Sequence, residues 1–153
     1  MPRKPPQFAD HPIRYATASA VGMVRACCCH VVDGDTADFL LDLGWYQYAY
    51  VALRFRGINT AETRGTRGAE AALAKAAKQW VCDHLLGSPA LLRGSKQKVS
   101  FQRFVADIWI PATPDMAPST DPEDAPLLRL GNRDWKSVAD LLVAEGLAER
   151  VPR

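Results

Sequence analysis

Long hydrophobic runs are missing from this chain of 153 residues. No apolar stretch approaches the ~18 residues needed to cross a bilayer, so no membrane span or membrane partner is expected. A strong charge of one sign is also missing. The formal net charge is +2, which permits a polyanionic partner without demanding one, so any argument for nucleic acid rests on where the cations fall. A disulfide framework is missing too. The four cysteines are Cys27, Cys28, Cys29 and Cys82, and three in succession pair poorly, which points to free thiols in a reducing compartment. The start, Met1-Pro2-Arg3-Lys4, is basic, but Asp10, His11, Pro12 and Arg14 fall where the apolar core of a secretory signal would sit. The expected location is therefore cytoplasmic. His30 closes a Cys-Cys-Cys-His run, yet adjacent strand residues face opposite ways and no second Cys/His pair has zinc-like spacing. Packing is the preferred reading of these cysteines. His11, His30 and His84 read as surface or packing residues.

What is present is ordinary globular material. Apolar residues make up 48% and charged residues 24%, and the length is that of one domain with a real core. Residues 1–14 carry four prolines and no periodicity, and read as a flexible arm; residues 15–153 read as a single domain. Strand patterns run from Ala20 to His30, from Thr36 to Leu43, and from Trp45 to Ile58, the last with a possible bend near Ala49. Asp33-Gly34-Asp35 between the first two is a turn or bulge signal, its glycine available for a conformation other residues resist. Asn59 to Gly68 is a loop. From Ala69 a helix begins, with an apolar stripe of Ala69, Ala72, Leu73, Ala76, Trp80 and Val81 and with Glu70, Lys75 and Lys78 outside it. Gly87 and Pro89 stop it. Lys96 to Ile110 returns to strand chemistry as two strands or a bent hairpin. Residues 111–134 read as a long surface loop, and Ser137 caps a last short helix stopped by Gly146. Three strands, a helix, two strands and a helix make a small α+β fold, most naturally a five-stranded OB-fold-like barrel because closure leaves few open edges.

One constellation carries chemistry. Asp35 follows the turn, and Arg54, Asn59, Thr60 and Glu62 follow on the third strand and its loop. Arg103 stands in Gln102-Arg103-Phe104-Val105-Ala106 ahead of an apolar strand. A carboxylate, an amide oxygen and a backbone carbonyl of Thr60 suit a hard divalent cation that keeps open positions. Glu62 is placed to act as general base on a water, and Arg54 and Arg103 to hold phosphate oxygens. Arg56, on the same strand face as Arg54, reads as a solvated arginine. Lys96 and Lys98 precede the Arg103 segment and are further candidates for phosphate contact. Trp45, Tyr46, Tyr48 and Tyr50 offer faces for stacking bases, but a strand's normal aromatic content accounts for them as well and is preferred.

These motifs occur in an order that resembles the staphylococcal-nuclease-like (thermonuclease) domain, over about Ala20 to Val151. The matches are Asp33-Gly34-Asp35-Thr36, then Arg54 with Asn59-Thr60-Ala61-Glu62, then Arg103 with Ala106, and more weakly Gly146-Leu147-Ala148. The resemblance implies an OB-fold barrel and a calcium-dependent phosphodiesterase (a nuclease) acting on DNA and/or RNA with little sequence preference, monomeric by default. It gives Asp35, Asn59 and the Thr60 carbonyl to Ca2+, the role of base to Glu62, and the phosphate to Arg54 and Arg103. The chain departs from the family pattern at Asn59 (commonly aspartate), Ala61 (usually proline) and Gln102 (usually glycine). The alternative is a catalytically weak or inactive nuclease-like module that binds nucleic acid or a protein partner.

Overall fold

The computed structural model describes residues 23–99, 103–113, 128–130 and 133–152; the side chains of 95–99, 103, 128–130 and 133 are outside the description. The arm at residues 1–14 therefore lies outside it. The elements run β1 (Met23–Asp33), β2 (Thr36–Asp42), β3 (Tyr48–Phe55), β4 (Ile58–Asn59), α1 (Ala69–Leu85), β5 (Pro89–Val99), β6 (Arg103–Pro111), β7 (Leu128–Leu130), β8 (Arg133–Ser137), α2 (Val138–Ala144) and β9 (Glu149–Arg150).

Five of these strands close a barrel. The order β3-β2-β1-β5-β6 is antiparallel throughout, and β3 then pairs in parallel with β6 through Leu53–Phe104, Arg54–Val105 and Phe55–Ala106. Closure removes the two edges that an open sheet of this length would expose. The inward positions alternate as the sequence pattern requires: Ala37 and Phe39 on β2, Leu53 and Phe55 on β3, Ala106, Ile108 and Ile110 on β6 are all buried. Fully burying a Phe, Leu or Ile contributes about 1.5–3 kcal/mol. Val81 and Leu85 of α1 and Val138, Leu141 and Leu142 of α2 complete the same core. The fold is thus the α+β, OB-fold-like barrel with two helices.

Several local expectations change. The third strand does not begin at Trp45. Gly44, Trp45 and Tyr46 all have left-handed φ (76°, 55° and 57°), and Gln47 donates its N–H to the Gly44 carbonyl at 2.9 Å. They form the tip of the β2–β3 hairpin, a turn geometry that matches the twist of its strands but suits Asn-Gly far better than Trp-Tyr. Each bulky residue held there costs about 1–3 kcal/mol. At the other end of β3, a turn at Arg56-Gly57 separates Ile58-Asn59 as β4. Arg56 is not simply solvated: it meets Asp107 at 3.5 Å, which Arg93 also meets at 3.2 Å.

On α1 the buried face is Ala74, Ala77, Val81 and Leu85. Ala72, Leu73 and Ala76 of the expected stripe are exposed, and Ala69 too. The largest apolar residues marked one stripe, but close approach to the barrel selects the smallest ones. Within the expected 111–134 loop, Leu128–Leu130 and Arg133–Ser137 form strands, with β8 pairing both β6 and β7; these segments are too short and polar for periodicity to reveal. Residues 114–127 of that loop lie outside the description. Ser137 does cap α2, accepting the Asp140 N–H at 3.3 Å.

Of the three consecutive cysteines, only Cys28 is core. A bulge in β1 between Cys28 and His30 turns Cys29 outward. Burial pushes the Cys28 thiol up from 9.0 to about 12, so the fold favours its neutral form. That preference supports the folded state fully below about pH 9 and is lost as pH climbs from 9 towards 12. A thiol reagent at pH 8 is expected to modify Cys29 while Cys28 stays unmodified until denaturant is added, which peptide mass mapping reads directly. Rapid labelling of Cys28 in the native protein would contradict its buried placement.

Candidate functional site

The turn between β1 and β2 sets the position of Asp35. Gly34 within it is not one of the left-handed glycines, so the expected conformational reason does not apply. The reason is space. A Cβ on Gly34 would lie 2.6 Å from the Ala77 Cβ and 3.0 Å from the Thr60 Oγ1. Helix α1, the turn and the loop after β4 therefore meet at a residue without a side chain. Thr63 of that loop donates its hydroxyl to Asp33, tying the loop to the turn a second time.

Asp35 is buried, and every donor around it is named by the chain that folds there. Its Oδ1 accepts the Thr36 hydroxyl at 3.0 Å. Its Oδ2 accepts the Thr60 backbone N–H and an Arg54 Nη2–H, both at 3.2 Å. The Asp35 carbonyl accepts the Phe55 N–H at 2.8 Å, fixing the turn to the end of β3. Arg54 Nη2 also donates to the Asn59 Oδ1 at 2.7 Å. One positively charged nitrogen thus sits between the Asp35 carboxylate and the Asn59 amide oxygen. These two side chains converge on a cation, which the guanidinium supplies.

The surrounding cleft has a volume of about 660 Å³ and is lined by His30, Val32, Asp33, Asp35, Thr36, Ala52, Arg54, Asn59, Thr60, Ala61, Glu62, Thr63, Arg64 and Lys78. Asp35, Arg54, Asn59, Thr60 and Glu62 are therefore brought into one site from β1–β2, β3, β4 and the following loop. Thr60 presents its amide N–H to Asp35. Glu62 is exposed on the cleft wall; its backbone carbonyl accepts the Thr66 hydroxyl at 2.7 Å, which braces the loop behind it. Arg103 opens β6, two residues before Val105, the register partner of Arg54. Its side chain lies outside the described residues, as do Lys96 and Lys98.

Residues not singled out from the sequence also reach the site. Lys78 and Arg64 add cations to the cleft. Lys78 follows Ala77, the residue seated on Gly34, so the helix contact that crowds the turn also brings the lysine in. His30 lines the cleft and meets Asp38 at 3.2 Å; Tyr50 donates its hydroxyl to the same carboxylate at 3.3 Å. Partial desolvation first, and the Asp38 charge second, hold the Tyr50 phenol above its ordinary value, so it stays protonated as the donor. Among the described residues no group of three or more His, Cys, Asp and Glu gathers as a metal cluster. No family model matches the chain, and no curated protein matches it.

The loop is also clamped from the far end of the chain. Asn59 pairs with Glu149 and Ile58 with Arg150 in the β4–β9 ladder, and Val151 donates its N–H to the Gly57 carbonyl at 3.0 Å. Arg150 in turn reaches the buried Asp140 of α2 at 2.7 Å.

The crowding at Gly34 gives a direct test of this arrangement. Gly34→Ala is expected to cost about 1–3 kcal/mol by overpacking, read as a lower urea midpoint. Combining it with Ala77→Gly, which alone costs about 1 kcal/mol in a helix, is expected to lose less than the two single losses added together. Strict additivity would place the two residues out of contact.

Proposed function

We propose that the cleft binds and hydrolyses a phosphodiester of DNA or RNA with the help of a divalent cation, calcium by resemblance. The observation that carries this reading is the convergence of Asp35 and Asn59 on a single cationic group beside an exposed carboxylate, Glu62, in a cleft that also holds Arg54, Arg64 and Lys78. One buried carboxylate and one amide oxygen suit a calcium ion that keeps most of its positions for water and substrate. When bound, the ion would supply charge neutralisation at the phosphate. Asp35 and Asn59 would hold it.

The chain's own residues would do the rest. Arg54, released from Asp35 and Asn59, would donate both N–H groups to non-bridging phosphate oxygens, and Arg103 would be its counterpart from β6. Glu62 would take a proton from the water whose oxygen forms the new bond to phosphorus. The bond from phosphorus to the leaving ribose oxygen then breaks, and that oxygen takes up a proton. Charge that builds on the phosphate in between is what the two guanidinium groups stabilise.

The second reading draws on the same contact. An Arg54 that remains between Asp35 and Asn59 acts as a permanent counter-ion, and the domain is then a nucleic-acid-binding module without turnover. Cleavage of single-stranded DNA, duplex DNA and RNA, in calcium and in EDTA, separates the two. Calcium-dependent cleavage is expected, with Glu62→Gln lowering turnover about 100-fold or more at unchanged substrate affinity and Arg103→Ala lowering it about 100-fold. Binding without cleavage at millimolar calcium would select the module. Loss of affinity rather than turnover in Glu62→Gln would remove its role as base.

A further inference from the structure

The two-residue hairpin turn calls for left-handed φ at both central positions, but nothing in the fold calls for bulky residues there. Trp45 and Tyr46 occupy the two central left-handed positions of the turn, where Asn-Gly would sit at ease. Both are almost wholly in solvent, 94% and 96% exposed, so no packing holds them there. Backbone strain spent on an exposed aromatic pair points to a contact made outside the chain. The pair does not stand alone. Tyr48 and Tyr50 are 60% and 62% exposed on β3, and strand alternation sets Tyr48, Tyr50, Ala52 and Arg54 on one face. Ala52 and Arg54 line the cleft. The aromatic strip and the cleft are therefore one continuous surface along a single strand.

We infer that Trp45, Tyr46, Tyr48 and Tyr50 form a base-stacking track that leads a single-stranded nucleic acid into the cleft, an inference that rests on the phosphodiester reading of the cleft for its occupant. The spacing selects single strands. Successive rings on the strand face stand ~6.6 Å apart, about twice the ~3.4 Å rise per nucleotide of a duplex strand, and a duplex presents no free base faces along its length. The charges nearby select stacking over phosphate contact. Asp38 and Asp42 lie on β2 beside the track, opposite Ala52 and Tyr48; Asp38 is engaged by His30 and Tyr50, and Asp42 by the Gly44 N–H. They repel phosphates, so the bases face the sheet and the backbone faces water until the strand reaches Arg54, Arg64 and Lys78.

The experiment uses the full chain in EDTA, where no cleavage intervenes, and follows fluorescence anisotropy of a labelled oligodeoxythymidine and of a duplex of equal length. The single strand is expected to bind more tightly. Tyr48→Ala is expected to weaken it about 5- to 100-fold, the equivalent of one lost stacking contact. The double variant Trp45→Asn, Tyr46→Gly is expected to weaken it at least as much while melting at a higher temperature, because the turn strain is relieved. The fold-loss is expected to be the same at low and high salt, since no phosphate contact has been removed. Undiminished oligonucleotide affinity in these variants overturns the track, as does equal affinity for the duplex. Self-association of the wild-type chain that the same variants abolish, with no effect on the oligonucleotide, would make the strip a protein contact and likewise overturn it. The two readings fail separately. Wild-type cleavage with strip-independent binding removes the track alone, and strip-dependent binding without cleavage removes the hydrolytic reading alone.

Discussion

A carboxylate taken out of water must be met by donors, and Asp35 is where this fold meets that demand. Moving a charge into the interior is costly unless partners replace its hydration. Here the partners come from three places: a hydroxyl from the start of β2, a guanidinium from β3 and a backbone amide from the loop after β4. Satisfying one group thus fixes the relative positions of the turn, the strand and the loop that frame the cleft. Gly34 makes this possible from the other side, since a methyl group there would push α1 and Thr60 off the turn. The geometry of the cleft follows from one buried charge and one absent side chain.

The barrel's contribution is closure. The parallel pairing of β3 with β6 aligns Arg54 with Val105, bringing two distant segments of sequence to neighbouring positions. The inner residues of these strands are apolar and buried, while Arg54 and Arg56 take the alternate positions outside. Arg56 finds Asp107, and Arg54 finds Asp35 and Asn59. Two arginines two residues apart thus take different tasks because different carboxylates lie opposite them.

The parts readable in the sequence were those governed by periodicity and local chemistry. Alternation along Ala37, Phe39, Leu53 and Phe55 gave the barrel strands, Gly87 and Gly146 the helix stops, and Ser137 its cap. The spacing from Arg54 to Glu62, together with Asp35 after its turn, gave five residues of one cleft. What escaped depends on contacts between segments. Ala74 and Ala77 are buried because α1 must approach a glycine, and no helical stripe of bulk reports that. Trp45 and Tyr46 carry strand-like side chains, but the hairpin turns there, between Gly44 and Gln47. Lys78 enters the cleft because its neighbour Ala77 is the point of contact. The bridge of Arg54 to both Asp35 and Asn59 could not be foreseen from spacing, which names the members of a site but not which of them holds which.

The β4–β9 ladder has a consequence for the order in which the site is secured. Asn59 is held by Glu149, and Ile58 by Arg150, which is itself anchored on Asp140 of α2. During synthesis at ~5–20 residues per second, the barrel strands and α1 leave the ribosome several seconds before β9 does. A nascent chain in that interval has its Asp35 turn and its Glu62 loop but no clasp on the segment between them. The clasp on Asn59 is therefore added by the latest-arriving of the described strands, to a cleft whose contacts around Asp35 all come from segments already outside the ribosome.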